Sequence, residues 1–155
     1  MDDSQRELDV LIRARYPILY LVSWEEPRVM RTLRQIARSQ GKDLLTWTIT
    51  DGWTNADGGP ISLPEPGGSG RRASAATPAR RVRSATVEVD QALDALDLVE
   101  QWNEGRTGAR GALFVLKDFD PYITAPAVER RLRDMAMRLP YAGYKTLLVL
   151  SPVLK

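Results

Sequence analysis

The stretch Tyr16-Pro17-Ile18-Leu19-Tyr20-Leu21-Val22-Ser23-Trp24-Glu25-Glu26-Pro27 decides the fold. Ile18–Val22 has no polar interruption, which is the pattern of a strand covered on both faces of a sheet. Pro17 on one side, and Ser23 with Pro27 on the other, bound the run too tightly for a buried helix. Beyond it, Val29, Met30, Leu33, Ile36 and Ala37 recur at helical spacing. Arg28, Arg31, Arg34 and Arg38 lie between them, so the spacing predicts an amphipathic helix with a basic outer face. A buried strand turning directly into a helix is the expected centre of the chain.

That arrangement holds phosphate in P-loop and dinucleotide-binding folds, because the N–H groups at a helix N-terminus attract anions. A working P-loop also needs glycines to wrap the phosphate, a lysine for the terminal phosphates and a Ser or Thr for Mg²⁺. Here the turn is Ser23-Trp24-Glu25-Glu26-Pro27-Arg28, without glycine or lysine. Glu25 and Glu26 bring their own carboxylates to the phosphate position, and Pro27 removes one donor. Ser23 with Glu26 matches a capping box, while Pro27 suits a first helical residue; both starts fit the sequence.

At 155 residues the chain fits one domain, large enough to bury roughly 68–70% of its unfolded surface. It has no cysteine and no histidine, which excludes disulfides, thiolate metal sites and the commonest general base. A reducing cytoplasmic setting is expected. The start, Met-Asp-Asp-Ser, is not a secretory signal, and no apolar run approaches the ~20 residues of a membrane span. The net charge of +2 is uneven: between positions 61 and 85 five arginines (71, 72, 80, 81 and 83) stand against Glu65. That segment carries +4, so the remainder carries −2.

Residues 4–15 read as a lead-in helix, with Leu8, Leu11 and Ile12 on one side and Ser4 with Glu7 spaced as a capping box. Gly41 suits a helix C-cap, and residues 44–50 alternate in the manner of a second strand. From 51 to 85 the chain turns rich in Gly, Pro and Arg, with too few apolar groups to repay ordering. It is expected to be a disordered insertion within the single domain of residues 1–155. A helix with an acidic, solvated face is predicted over 89–102, a turn over 103–111 and a third strand over 112–116. A further amphipathic helix follows over 126–139, and a fourth strand over 145–150.

Strands alternating with helices argue for a three-layer α/β fold, a parallel sheet of about four strands with helices on both faces. A parallel sheet is normally covered on both sides, so a strand with nothing after it leaves the fold unfinished at its C-terminal end. A fragment, or a partner that completes the sheet, is expected.

Three stretches carry a resemblance: 12–20 running into Ser23-Trp24-Glu25-Glu26, Phe114-Val115-Leu116-Lys117-Asp118-Phe119, and Leu148-Val149-Leu150-Ser151-Pro152-Val153-Leu154-Lys155. Together they resemble the N-terminal domain of the AAA-type ATPases first noted as a conserved chloroplast reading frame and widespread in bacteria. The resemblance implies a RecA/AAA-like, P-loop-NTPase-like fold without a Walker A motif. It also implies a catalytic AAA domain, using ATP and Mg²⁺, elsewhere in the parent protein. Lys117 and Asp118 then correspond to the end of a Walker B strand, and Ser151 to the end of the strand that carries a sensor polar residue.

Three functions are compatible with these residues. The first is a non-catalytic module that contacts a catalytic AAA domain, subunits of the same family or further copies of itself. Its contact candidates are Trp24, Arg28, Arg31, Arg34, Arg38 and Tyr122, since Trp, Tyr and Arg dominate interface energetics; core packing and a plain solvated face are the simpler alternatives. The second is a divergent nucleotide hydrolase, with Lys117, Asp118 and Ser151 at the nucleotide and Asp118 and Asp120 on Mg²⁺. Those acids also suit an ordinary turn before Pro121. The third, ranked last, is nucleic-acid binding by the arginine-bearing insertion, which lacks interleaved aromatics. No cofactor is expected for this chain by itself.

Overall fold

Two strands, β4 (Ala112–Lys117) and β5 (Lys145–Ser151), lie at the centre of the sheet, and their continuous apolar runs are buried along almost their whole length. Parallel strands covered on both faces demand such runs. A computed structural model describes residues 2–55, 59, 61, 87–102, 110–141 and 143–152. The remaining elements are α1 (Asp3–Arg13), β1 (Ile18–Val22), α2 (Glu26–Gln40), β2 (Asp43–Thr48), β3 (Gly52–Asn55), α3 (Val87–Gln101), α4 (Asp120–Ile123) and α5 (Pro126–Arg138).

The sheet order is β1-β5-β4-β2-β3. The first four strands are parallel, and β3 returns antiparallel to β2. The expected three-layer α/β sheet is therefore present, with one strand more than the sequence suggested. That strand occupies Gly52–Asn55, where the insertion was expected to begin. Trp53 explains it: its indole N–H reaches the Ala95 carbonyl (3.3 Å) and its ring meets Phe114 edge-on. Most of the arginine-bearing insertion and of the turn at 103–111 lies outside the described residues.

Alternation along the strands splits the core in two. On one face Leu45, Trp47, Phe114, Leu116, Leu147 and Val149 pack against α3 and α5. On the other, Leu44, Leu113, Val115, Leu148 and Leu150 pack against α2 and Ile12 of α1. Gly41 caps α2 in the left-handed conformation (φ 69°).

Three local expectations are corrected. The capping box of α1 is made by Asp2 and Gln5, not Ser4 and Glu7, with both reciprocal bonds at 2.9 Å. The start of α2 has no capping box, because Ser23 Oγ accepts from the Glu25 N–H (3.0 Å) and Pro27 occupies the first turn. The acidic side of α3 is not simply solvated, because Arg131 bonds Asp97 and Glu100 while Arg138 forks onto Glu100 (2.9 Å for both bonds). No described helix is long and apolar enough to cross a membrane.

Candidate functional site

The carboxyl ends of β1, β4 and β5 come together because the strands are in register: Val22 lies beside Ser151, and Lys117 beside Leu150. Backbone bonds extend this alignment into the turns, from Ser23 N–H to the Ser151 carbonyl (3.0 Å) and from Asp118 N–H to the Leu150 carbonyl (2.9 Å). The elbow after β1, Lys117, Asp118, Asp120 and Ser151 thus share one end of the sheet.

Lys117, Ser151, Asp120, Ser23 and Glu25 each have a partner from the protein itself. The Lys117 ammonium pairs with Glu26 at 3.2 Å. Ser151 Oγ donates to Asp120 Oδ1 at 2.9 Å, and both side chains are buried. Arg28 bridges Glu25 and Asp2, each at 3.1 Å, which ties the start of α1 to the start of α2 and raises the guanidinium pKa through the Glu25 hydrogen bond. Among the described residues, no group of three or more acidic side chains is arranged to hold a metal ion.

Asp118 adopts a left-handed backbone (φ 54°). Asp118 is exposed, but partial desolvation raises its carboxyl pKa, as does repulsion from Glu26 and Asp120, against a lowering by Lys117. A raised carboxyl pKa favours the fold below the unfolded value of about 3.9, and that contribution is lost as the pH rises through the folded value. At neutral pH the charge therefore opposes folding. Asp118→Asn removes it while keeping a residue that tolerates this backbone. The melting temperature at pH 7 is expected to rise by roughly 1–2 °C, with the gain vanishing near pH 3. Thermal melts at the two pH values check this, and a lower melting temperature at pH 7 would contradict it.

The other candidates separate. Trp24 is 78% exposed at the tip of the elbow, so it is not a core residue. Arg28, Arg31, Arg34 and Arg38 are all exposed along α2, as their spacing predicts. Tyr122 lies apart from them, half-buried and edge-on to Phe119 (5.7 Å) and Trp47 (6.3 Å); burial, foremost, raises its pKa.

One expectation for the central stretch is overturned. β1 is not covered on both faces: it is an edge strand, with Tyr20 40% and Val22 49% exposed. A groove of about 410 Å³ runs beside it, lined by Leu8, Leu21, Val22, Val29 and polar residues of α1 and α2. Sequence reasoning missed Glu26 as the partner of Lys117, since nothing local in either segment signals the other.

Comparison with known proteins gives a consistent picture. The family model for the SpoVK-like AAA ATPase N-terminal domain matches residues 4–155. The chain is 29% identical over 146 residues to an uncharacterized AAA domain-containing protein, ycf46, of Trieres chinensis, covering 94% of this chain and 23% of that protein. It is 26% identical over 132 residues to the ycf46 protein of Pyropia yezoensis, covering 84% and 21%. The chain spans less than a quarter of the length of these curated relatives. No solved structure matches.

Proposed function

Because the chain belongs to the SpoVK-like AAA ATPase N-terminal domain family, we propose that it is a non-catalytic ATPase-like module that docks onto and regulates a catalytic AAA domain. The observation that carries this reading is the filled elbow. Ser23 Oγ accepts from the Glu25 N–H, Glu26 neutralises Lys117, and Pro27 contributes no N–H to the first turn of α2.

A triphosphate with magnesium does not fit this donor set. It would meet the carboxylates of Glu25 and Glu26 where a phosphate cradle needs glycine N–H groups and a free lysine. With neither nucleotide nor metal to hold, the exposed features of the elbow suit a cytoplasmic protein contact. Trp24 projects into solvent just before α2, along which Arg28, Arg31, Arg34 and Arg38 are exposed, an aromatic anchor at the start of a row of guanidinium groups.

Calorimetric titration with Mg-ATP tests the assignment, with no saturable heat expected up to about 1 mM nucleotide. Micromolar binding would instead favour a divergent nucleotide-hydrolysing domain, the reading supported by the convergence of Lys117, Asp118, Asp120 and Ser151. Trp24→Ala is expected to weaken binding to the catalytic AAA domain at least about tenfold while leaving the melting temperature unchanged. Undiminished binding by that variant would remove Trp24 from the contact.

A further inference from the structure

The end of the sheet opposite the elbow is basic. Register sets the residues that precede the strands side by side, since Asp43 lies beside Ala112, Ala112 beside Lys145 and Ile18 beside Leu147. Lys42, Arg110, Tyr144 and the pair Arg15-Tyr16 therefore share one rim. Backbone bonds hold it together, from the Arg110 N–H to the Gly41 carbonyl (2.8 Å) and from the Ala112 N–H to the Tyr144 carbonyl (2.9 Å). The Arg110 stem lies along Gly41, where an added Cβ would meet Arg110 Cδ at 3.6 Å. Arg13, in the last turn of α1, reaches Ser39 Oγ near the end of α2 (3.5 Å), and Arg38 stands in that same last turn of α2.

Five cations thus gather here, Arg13, Arg15, Arg38, Lys42 and Arg110, against the acids Asp9 and Asp43, a local excess of +3. Asp9 is already held by Arg13 (3.0 Å) and by Gln40 Nε2 (2.9 Å). On the α3/α5 side, Asp97 and Glu100 are taken up by Arg131 and Arg138. Lys42 is half-buried, and among the described residues no carboxylate lies within ion-pair distance of it. Burial foremost, and repulsion from Arg15 and Arg13, lower its pKa. An anion from outside the chain supplies the counter-charge that the fold does not.

The backbone at Arg15 points to the kind of anion. α1 ends in a Schellman motif, with the Tyr16 N–H on the Leu11 carbonyl (3.3 Å) and the Arg15 N–H on the Ile12 carbonyl (3.1 Å). Its left-handed position is one that glycine fills without strain, yet here it is Arg15, at φ 65°. What the arginine adds is its head group, whose Cζ sits 3.9 Å from the centroid of the Tyr144 ring. Tyr144 is 43% exposed, and Tyr16, next to Arg15, is 51% exposed. Tyrosine rings and guanidinium planes are both surfaces on which an unpaired base stacks. Exposed rings among cations are what a single strand needs, and the arginine-bearing insertion has no such rings.

We propose that this rim binds single-stranded nucleic acid, with phosphates on Arg13, Lys42 and Arg110 and a base stacked at Arg15 and Tyr144. An acidic peptide or an acidic membrane surface would answer the charge but leave the Arg15–Tyr144 platform unused. The binding is independent of the docking role, whose anchor Trp24 lies at the other end of the sheet.

Fluorescence anisotropy tests this with the 155-residue chain and a labelled oligothymidylate of about 15 nucleotides. Saturable binding is expected with a Kd of about 1–100 µM at about 50 mM salt, weakening with a log–log salt slope of about −2, as for about three phosphates on a single strand. Arg15→Gly should weaken binding at least about tenfold and leave the melting temperature within about 2 °C, because relief of the left-handed backbone offsets the lost ring contact. Lys42→Gln, which removes a half-buried and repelled charge, is the second variant: at least about threefold weaker, with the slope flattened by about 0.7. Arg130→Gln makes the same charge change on α5, away from the rim, and should alter neither quantity. No saturable binding overturns the proposal, as does undiminished binding by both the Arg15 and Lys42 variants, which would put the strand on the insertion. An abasic strand held as tightly as oligothymidylate, or equal displacement by polyglutamate or phosphatidylserine vesicles, overturns it as well.

Discussion

Replacing Gly111 with alanine is expected to destabilise the protein by about 3 kcal/mol, near the upper end of overpacking costs. An alanine Cβ built there would lie 2.4 Å from the Tyr144 carbonyl oxygen and 2.7 Å from the Tyr144 Cβ. The obstacle includes main chain, so no rotamer change relieves it. Nor can the strands part freely. The Gly111 carbonyl accepts from the Asp43 N–H, and the Tyr144 carbonyl accepts from the Ala112 N–H, both at 2.9 Å, so β2, β4 and β5 are stitched together at this level. Tyr144 also holds the Arg15 guanidinium 3.9 Å from its ring centroid, a contact that any outward shift would loosen. At 2–4 °C per kcal/mol for a chain of this size, the melting temperature should fall by roughly 6–12 °C. Urea unfolding measures the effect directly, and a loss below about 0.5 kcal/mol would mean that the amino ends of β4 and β5 separate easily.

Phe114→Ala is expected to cost about 4 kcal/mol. Phe114 is fully buried at the middle of the central strand, in register with Leu45 on one side and Leu147 on the other. Trp53 and Trp102 meet its ring edge-on at 5.6 and 6.1 Å. Truncation removes the transfer free energy of the ring, leaves a cavity and abolishes both aromatic contacts; such changes cost about 3–5 kcal/mol. Phe114→Leu refills most of the volume and should lose roughly 1–2 kcal/mol. Because Trp53 anchors β3, tryptophan emission should shift to the red in the alanine variant before global unfolding. Denaturant titration followed by fluorescence checks both points, and a cost under about 1.5 kcal/mol would show that α3 and β3 collapse into the gap.

The chain's own pattern was enough to locate nearly every element. The period-3.6 rows in α2 and α5 and the uninterrupted apolar runs of β4 and β5 are local consequences of backbone geometry, and they match the helices and strands observed. β3 escaped notice because four residues, the first of them a glycine, carry too little periodicity; Trp53 forms a strand only because Phe114 and Ala95 are there to receive it.

What the sequence by itself determined is therefore the set of helices and strands apart from β3 and the short α4, the residues in the β1–α2 elbow and the lack of cysteine and histidine, all properties readable from neighbours along the chain. Only the tertiary structure decided that β1 lies at an edge with Tyr20 and Val22 bare, and that Lys117 finds Glu26, Ser151 finds Asp120 and Arg131 clamps Asp97 to Glu100. The reason is physical. Strand order and pairs of distant residues depend on loop closure, on the hand of the crossovers and on which faces pack together, and none of these leaves a signal in a short window of sequence.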